Sequence, residues 1–345
     1  MLVTGHTGFK GAWLSLWLQS LGARVIGLAR GKIGHPSLYA VADVGSHSSE
    51  RHGDVREFEA VHRAVVEERP EVIFHLAAQP VVRRSLREPR GTYETNVMGT
   101  VNVLESVRCS RGVQAVVVVT SDKCYENPQD GQPHRFVESD PMGGRDPYSS
   151  SKGCAELVCA AYRSSFFAEG DAPRVATARA GNVIGGGDWG EDRLVPDAIR
   201  AARAGAVVRL RNPDAVRPWQ HVLNPLSGYL LLAQALADAR ETGGGWNFGP
   251  RGPESRSVRE IVRRLVELWP DPLRWELDSA ENPPEATYLS LDSSKAETRL
   301  GWQPGWDVDE ALMRVVEWHD AQRRGGDMRR ASMAQIAAFA MSGGA

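Results

Sequence analysis

The sequence has few cysteines, no long apolar run and no excess of charge of either sign. Its 345 residues include four cysteines without a CxxC pair and nine histidines without the spacing of a zinc site. We therefore expect neither a disulfide scaffold nor a catalytic metal, and a reducing cytoplasm fits the cysteine content. The net charge of −2 predicts no general affinity for nucleic acid or anionic membranes. No apolar run has the length of a membrane span, and the start MLVTGHTG has neither a charged leader nor an apolar signal core.

Short apolar segments alternate with helical patterns through the first half of the chain. Strands are expected at 1–5, 23–29, 71–78, 113–121 and 174–183, and helices at 10–22, 57–70, 96–110 and 155–167. Strands that are apolar almost throughout are typical of a parallel sheet covered on both faces. The sequence therefore predicts an α/β fold with a Rossmann-like, doubly wound parallel sheet.

The second half is less regular, and proline and tryptophan cluster in it. We expect residues 1–180 to form the dinucleotide-binding domain, with 214–247 returning to it. A smaller C-terminal substrate-binding lobe is expected at 181–330, where the Gly-rich segment 181–197 has the composition of a loop. A surface helix and a frayed tail are expected at the end, over 331–345.

The segment GHTGFKG places Gly5, Gly8 and Gly11 between the first strand and the first helix. Glycines at such a turn allow close approach of a pyrophosphate, which the N–H groups and dipole of the helix can then bind. The spacing is GxxGxxG rather than GxGxxG, so a plain turn is the alternative. The second strand is followed by Arg30 and Lys32 instead of an acidic residue, which by the general rule favours NADP. The alternative is that both are solvated loop cations.

The segment DPYSSSK contains the pattern Tyr-x-x-x-Lys. Asp146 and Pro147 are typical first residues of a helix, which would place Tyr148 and Lys152 on one face, one turn apart. An ammonium beside a phenol lowers the pKa of the phenol, so that Tyr148 could remove a proton from a hydroxyl group.

The buried strand VQAVVVV runs into Ser121, Asp122 and Lys123. A carboxylate beside an ammonium is common in solvated loops, where the pair contributes little. The alternative is a site that needs an acid and a base close together.

A resemblance to a known family distinguishes these alternatives. The chain resembles the extended short-chain dehydrogenase/reductases that act on nucleotide sugars, and among them the CDP-glucose 4,6-dehydratases. The motifs that carry the resemblance are VTGHTGFKGAWLSLWL, HLAAQP, TNVMGT, TSDKCY, PMGGRDPYSSSKGCAELV, RAGNVIGGGDW, RPWQHV, GWNFGP, YLSLDSSKA and LGWQP. They extend over nearly the whole chain.

The resemblance implies that the cofactor is NAD, which is regenerated in each turnover, and that the substrate is CDP-glucose. It implies Ser121, Asp122, Lys123, Tyr148 and Lys152 as the catalytic residues. The positions implied for the cofactor, with Tyr148 and Lys152 again among them, are Gly5, His6, Gly8, Phe9, Lys10, Gly11, Asp54, Val55, Leu76, Ala77, Ala78 and Asn96. Those implied for the substrate are Gln79, Asn182, Arg193, Arg217 and Tyr288, whereas Trp219 could equally stack or pack.

The implied chemistry is a dehydration through a transient ketone. Tyr148 takes the proton of the 4-hydroxyl while the C4 hydride passes to NAD, and Lys123 then removes the acidified C5 proton. Asp122 protonates the departing 6-hydroxyl, and the hydride returns to C6. Ser121 would bond the 4-oxygen, and Lys152 would hold the ribose. A close Asp122–Lys123 pair could share one proton.

Other functions of the same fold remain open from the residues alone. One alternative is another nucleotide-sugar dehydratase, or a 4-epimerase or 4-reductase; the Asp122–Lys123 pair weighs against the last two, which need no base at C5. A second is a non-catalytic NAD(P)-binding regulator, against which Tyr148 and Lys152 weigh because a binding protein needs no phenol base. A scaffold protein leaves the site motifs unexplained. Relatives pair through two long helices, here 96–110 and 148–168, so we expect a homodimer or homotetramer. The apolar stripe of Ala155, Val158, Cys159 and Tyr162 would serve such pairing, unless it faces its own sheet.

Overall fold

The computed structural model describes residues 1–31, 36–128, 132–238, 242–251, 255–278 and 288–343. Its strands are β1 (Leu2–Thr4), β2 (Ile26–Ala29), β3 (Ser49–His52), β4 (Val72–His75), β5 (Ala115–Val119), β6 (Arg135–Phe136), β7 (Arg174–Ala180), β8 (Val183–Ile184), β9 (Val207–Leu210), β10 (Val216–Arg217), β11 (Gln220–His221), β12 (Gly244–Phe248), β13 (Arg256–Ser257), β14 (Arg274–Leu277) and β15 (Ser290–Leu291). Its α-helices are α1 (Phe9–Ser20), α2 (Leu38–Val41), α3 (Phe58–Glu68), α4 (Val82–Arg87), α5 (Pro89–Tyr93), α6 (Gly99–Arg108), α7 (Pro147–Phe166), α8 (Leu194–Ala204), α9 (Leu223–Ala237), α10 (Val258–Leu268), α11 (Ser294–Leu300), α12 (Val308–Arg323) and α13 (Met328–Met341).

Seven strands form one parallel sheet in the order β12-β7-β5-β4-β1-β2-β3. From β1 the chain winds outward to β3, and from β4 it winds outward in the other direction to β12. The strand order therefore reverses between β1 and β4, and the carboxyl ends of both strands flank a crevice there. The predicted Rossmann-like, doubly wound sheet is confirmed.

Helices cover both faces of this sheet. One apolar core joins the sheet to α1, α9 and the C-terminal helices, with Trp13, Trp246 and Phe339 among its buried side chains. A second core lies on the opposite face, where α3, α6 and α7 pack. Because the central strands are buried on both sides, their sequences are apolar almost throughout, as in the run AVVVV of β5.

The predicted stripe on α7 belongs to this second core. Ala155 and Cys159 are fully buried, and Val158 and Tyr162 pack against the cluster formed by strand residues such as Val116 and Val175. The stripe therefore faces the chain's own sheet, and the expectation that it serves subunit pairing is wrong.

A third apolar core lies outside the large sheet. There α8, α10 and α12 enclose the β9–β14 pair, with Val208, Ile261 and Val315 buried among them. The chain between β9 and β14 returns to the large sheet, because α9 contacts β5 and β7 and β12 pairs with β7.

In the C-terminal range 331–345, Ile336 and Phe339 of α13 are buried. Among the described residues, no helix is both long and apolar enough to cross a membrane.

Candidate active site

A cleft of about 1350 Å³ lies at the carboxyl edge of the large sheet. Its walls are the turn after β1, the ends of β4, β5 and β7, and the part of the third core that carries β9. Parallel α/β sheets bind their ligands at this edge, beside the point where the strand order reverses. The cleft brings together most of the residues that the sequence proposes, namely Gly5, Gly8, Phe9, Lys10, Gly11, Asp54, Val55, Leu76, Ala77, Ala78, Ser121, Asp122, Lys123, Tyr148, Lys152, Asn182, Arg193 and Arg217.

The glycine turn forms a cradle for a phosphate. Gly5 has a φ of +73°, and a Cβ there would lie 2.8 Å from the backbone of Ala77. A Cβ at Gly11 would lie 2.2 Å from the carbonyl oxygen of Gly5, so the turn packs directly on α1. At the start of α1, Gly8 provides no side-chain cap and the first turn has no acidic residue. The N–H groups at this end of the helix are thus available to an anion, which fits the pyrophosphate of a dinucleotide.

Asp54 is one of the positions that the resemblance implies for the cofactor. Its carboxylate accepts hydrogen bonds from the guanidinium of Arg56 at 2.6 and 2.9 Å, and Arg30 lies 3.9 Å away. Burial opposes ionisation of Asp54, but the bonds from Arg56 prevail and lower its pKa. Arg30 therefore faces a carboxylate, and Lys32, the other cation behind the NADP expectation, lies outside the described residues.

Three residues proposed for cofactor or substrate support the cleft from behind and do not line it. His6 is buried, and its Nε2 lies 3.0 Å from a carboxylate oxygen of Glu50 on β3. Asn96 bonds the backbone N–H and carbonyl of Gln79 and donates to the hydroxyl of Ser151. The contact of His6 ties the glycine turn to β3, and the contacts of Asn96 tie the segment after β4 to α7.

Tyr148 and Lys152 lie on the first two turns of α7. Asp146 caps the helix by accepting a hydrogen bond from the N–H of Ser149 at 3.0 Å, and Pro147 is the first helical residue. Lys152 donates to the carbonyl oxygen of Val119 at 3.0 Å, at the end of β5. The predicted start of this helix is confirmed.

The protonation of the pair differs from the sequence-based expectation. Burial raises the pKa of Tyr148 to about 12, and a hydrogen bond with Ser121 offsets only part of that rise. The pKa of Lys152 is lowered to about 8, because its ammonium is buried. The expected lowering of the pKa of Tyr148 is therefore wrong for this structure, where burial prevails.

A 3₁₀ turn after β5 carries the acid–base pair. Ser121 caps this turn by accepting a hydrogen bond from the N–H of Lys123 at 3.2 Å, and its hydroxyl donates to Asp122 Oδ1 at 2.9 Å. Asp122 is 2 % exposed, and its Oδ2 has no hydrogen-bond partner. Burial raises the pKa of Asp122, although the charge of Lys123 opposes that rise. A buried carboxyl with one unengaged oxygen suits a group that holds and then donates a proton.

The substrate side of the cleft is rich in cations. Arg193 donates to the buried carboxylate of Asp188 at 3.0 Å, and the side chain of Arg217 is buried in the wall of the cleft, which Asn182 also lines. Burial lowers the pKa of Lys10 to about 8, with repulsion from Lys152 contributing. Such a cluster fits a ligand with a diphosphate group.

Two other residues discussed for the substrate have mainly packing contacts. Trp219 is 4 % exposed, donates to the carbonyl of Arg256 at 3.0 Å and joins the third core, with one edge in the cleft wall. Tyr288 forms a backbone bridge with Val216 and does not line the cleft, and residues 279–287 before it lie outside the described residues.

Sequence reasoning missed some residues of the cleft. Gly181 lies so close to the acid that a Cβ would meet Asp122 Oδ2 at 3.0 Å and the ring of Pro218 at 2.3 Å. Arg83 of α4 and Arg211 after β9 lie on the wall, and both form ion pairs with Asp192. Nothing in the sequence distinguishes these arginines from solvated ones. Gly181, in contrast, could have been found, because a glycine directly before Asn182 indicates close packing at the end of the strand.

Comparisons with known proteins agree with this geometry. Residues 1–249 match the model of the NAD dependent epimerase/dehydratase family. The chain is 49% identical to the CDP-glucose 4,6-dehydratase of Salmonella typhimurium, over 98% of this chain and 95% of that protein. It is 27% identical to a dTDP-glucose 4,6-dehydratase of Xanthomonas campestris, over 92% of each. Among solved structures, the dTDP-glucose 4,6-dehydratase of Streptomyces venezuelae, with NAD bound, has a TM-score of 0.78 and 26% identity, covering 95% of this chain and 99% of that one.

The raised pKa of Asp122 makes a prediction about stability. The folded state holds this proton more tightly than the unfolded chain, whose carboxyl titrates near 3.8. The contribution of Asp122 to stability is therefore greatest below that pH and declines as pH rises through the folded-state pKa. We expect Asp122→Asn, which keeps the shape but does not titrate, to gain stability relative to the wild type as pH rises from 4 to 8. Urea unfolding of both proteins across this range measures the difference, and a constant difference would contradict the assignment.

Proposed function

Because this chain belongs to the NAD-dependent epimerase/dehydratase family, we propose that it is a CDP-glucose 4,6-dehydratase. It converts CDP-D-glucose to CDP-4-keto-6-deoxy-D-glucose and water, a step in the formation of deoxysugars. The observation that carries the proposal is the Asp122–Lys123 pair, which lines the same cleft as Tyr148 and Lys152. The 49% identity to a CDP-glucose 4,6-dehydratase supports the choice of nucleotide.

NAD is the cofactor that the cleft fits. The cradle of Gly5, Gly8 and Gly11 would hold its pyrophosphate, Asp54 and Val55 the adenosine half, and Lys152 the second ribose. Bound NAD would supply the acceptor for a hydride from C4 of the sugar and, once reduced, the donor of that hydride to C6. The Arg56 bonds to Asp54 keep that residue an ionised hydrogen-bond acceptor.

Tyr148 removes the proton of the 4-hydroxyl. Because its pKa is about 12, Tyr148 needs additional positive charge in the cleft before it can remove a proton at neutral pH. The pyridinium ring of bound NAD would supply such a charge. Ser121, which is hydrogen-bonded to both Tyr148 and Asp122, is placed to bond the 4-oxygen.

Lys123 and Asp122 carry out the elimination. Lys123 removes the C5 proton, which the neighbouring ketone has made acidic, while Asp122 donates its proton to the departing 6-hydroxyl. Water leaves, the hydride that C4 gave up is delivered to C6, and Lys123 returns its proton to C5. The proton that Tyr148 removed from the 4-hydroxyl balances the proton that Asp122 gave to the departing water, so that the net change is the loss of one water. Burial raises the pKa of Asp122 and so favours the protonated form that can donate.

The cations of the substrate side hold the nucleotide. Arg217 and Arg193 would bind the diphosphate, with Asn182 bonding a neighbouring group. Asp188 fixes one end of Arg193, so that the guanidinium enters the complex already oriented. The lobe that contains β9 and α8 would thus serve as the substrate-binding part of the chain.

The proposed function is tested by offering the enzyme four nucleotide sugars. The protein is incubated with NAD and with CDP-, dTDP-, UDP- or GDP-glucose, and products are followed by mass spectrometry. We expect loss of one water from CDP-glucose, and deuterium placed at C4 should appear at C6 of the product. Dehydration with the label lost to solvent, or turnover confined to another nucleotide, would contradict the proposal.

Lys123 can be tested as a base with two variants. Lys123→Ala should lower dehydration by about 10²–10⁴-fold, the usual contribution of a placed base, while hydride transfer at C4 continues. Lys123→Arg keeps a positive charge but cannot lose its proton at working pH, so it should fail in the same way. Initial rates of water loss and of cofactor reduction measure the two steps. Dehydration by Lys123→Arg at the wild-type rate would show that Lys123 supplies only a positive charge and does not act as a base.

We further propose that the protein is a homodimer paired through α6 and α7. Large apolar side chains are exposed on this surface, with Leu157 of α7 61% exposed and Met98 of the adjoining turn 49% exposed. Apolar groups exposed on neighbouring helices suit a self-complementary contact between two copies.

The dimer is tested by introducing charge on this surface. The variant Leu157→Glu/Met98→Glu should be a monomer, because two copies would bring four carboxylates together. Leu277→Glu in β14, where the leucine is 54% exposed, is the matched control and should leave the assembly unchanged. Sedimentation velocity of the wild type, the double variant and the control measures the mass of each assembly. A double variant with the same mass as the wild type would exclude this interface.

We also propose a cytoplasmic location, on the basis of the cysteines. All four are free thiols, and Cys109 is exposed. Free exposed thiols persist in reducing compartments.

A further inference from the structure

A buried ion pair that the mechanism does not use lies behind the catalytic turn. The carboxylate of Glu156 on α7 accepts two hydrogen bonds from the guanidinium of Arg179 on β7, at 2.9 and 2.7 Å. Both side chains are 5 % exposed. Buried ion pairs of this kind add little net stability, because removing both charges from water offsets their attraction. The pair therefore calls for an explanation other than stability.

The pair holds both ends of the segment that carries the acid and the base. Before that segment, the hydroxyl of Thr120 donates to Glu156 Oε1 at 2.5 Å. After it, Arg179 donates to the hydroxyl of Tyr125 at 2.6 Å, with the guanidinium 5.0 Å from the centre of the Tyr125 ring. Residues 121–124 thus form a short arch whose two ends are tied to one ion pair.

The same pair is anchored to the rest of the molecule. The hydroxyl of Tyr125 also donates to Asn247 of β12 at 2.7 Å, and a Cβ at Gly245 would lie 2.2 Å from the guanidinium of Arg179. Arg179 is thereby confined against an edge strand of the large sheet. The ties from Arg179 lower the pKa of Glu156 in spite of its burial, so the carboxylate stays ionised and can only accept hydrogen bonds.

Helix geometry connects this pair to the tyrosine. Tyr148, Lys152 and Glu156 are spaced four residues apart and so lie along one face of α7. The base for the first step and the anchor for the acid–base turn are therefore carried by the same rigid element.

We propose that Glu156 is a positioning residue, which with Arg179 clamps Thr120 and Tyr125 and so sets Asp122 and Lys123 at a fixed distance from Tyr148. The inference rests on the proposed dehydration, in which oxidation at C4 and elimination at C5–C6 must act on one sugar ring without its release. A displacement of about 1 Å of a catalytic group can lower a rate about 10²-fold. Loosening the clamp should therefore slow the elimination while leaving C4 oxidation intact.

Two threonines allow a matched test. Thr120 and Thr177 are both buried, and each donates its hydroxyl to Glu156, at 2.5 and 2.6 Å. Only Thr120 adjoins the arch, since Thr177 lies in the middle of β7. Valine replaces threonine with nearly the same shape, so Thr120→Val and Thr177→Val remove equivalent hydrogen bonds.

We expect Thr120→Val to lower kcat for dehydration of CDP-glucose about 10- to 100-fold, with KM within twofold. The kinetic isotope effect of deuterium at C5 should rise in this variant, because breaking the C5–H bond becomes slower relative to oxidation at C4. Thr177→Val should keep kcat and the isotope effect of the wild type, with a similar loss of thermal stability. Equal kinetic losses in both variants, or an unchanged C5 isotope effect in Thr120→Val, would overturn the proposal.

A second measurement does not depend on the substrate. In the arch, the N–H of Cys124 donates to the carbonyl of Ser121, and the N–H of Lys123 to its hydroxyl, each at 3.2 Å. Hydrogen exchange at 121–124 should be faster in Thr120→Val than in Thr177→Val, and equal exchange would reject the clamp. Absence of dehydration by the wild-type enzyme would refute the proposed function alone, because the exchange comparison still decides on the clamp.

Discussion

The parallel register of the large sheet is the constraint on which the site depends. Thr4 at the end of β1 pairs with His75 at the end of β4, and His75 pairs in turn with Val118 of β5. Because these strands run in one direction and end at one level, the glycine turn, the Leu76–Ala78 segment and the arch at 121–124 emerge side by side. The hydroxyl of Thr4, 2.7 Å from the ring of His75, ties the first two ends together inside the protein. A slip of one residue between these strands would remove each group from its place.

Much of this arrangement could be predicted, because local chemistry dictated it. The run AVVVV can be stable only where both faces are covered, and Asp146 followed by Pro147 starts a helix by capping and by a fixed φ. The glycine turn could be predicted because such a turn tolerates only glycine: a side chain at Gly5 would collide with the backbone of Ala77. In each case the neighbours that decide the structure are close in sequence or are implied by the class of sheet.

The features that could not be predicted depend on distant neighbours. β3 was missed because it is an edge strand of polar residues whose partner, β2, supplies the pairing. The stripe on α7 is equally apolar whether it faces the sheet or another subunit, and only packing against Val116 and Val175 decides. The pKa of Tyr148 depends on how deeply α7 lies in the cleft, and spacing alone suggested the opposite direction. Likewise, nothing in the sequence links Glu156 to Thr120 and Arg179.

Asp122, in the arch, and Glu156, behind it, are both buried carboxyl groups, but their surroundings suit them to opposite roles. Glu156 receives hydrogen bonds from two threonine hydroxyls and from a guanidinium, so the donors outweigh the cost of burial and the group stays ionised. Asp122 receives one from Ser121, and its other oxygen has no partner, so burial prevails and raises its pKa. Burial is similar at both positions, and the number of donors decides the direction in which the pKa shifts. An ionised carboxylate can hold its neighbours in place but has no proton to give, whereas a protonated one can donate to a leaving group. Glu156, whose pKa is lowered, therefore suits a structural anchor, and Asp122, whose raised pKa favours the protonated form, suits the acid of an elimination.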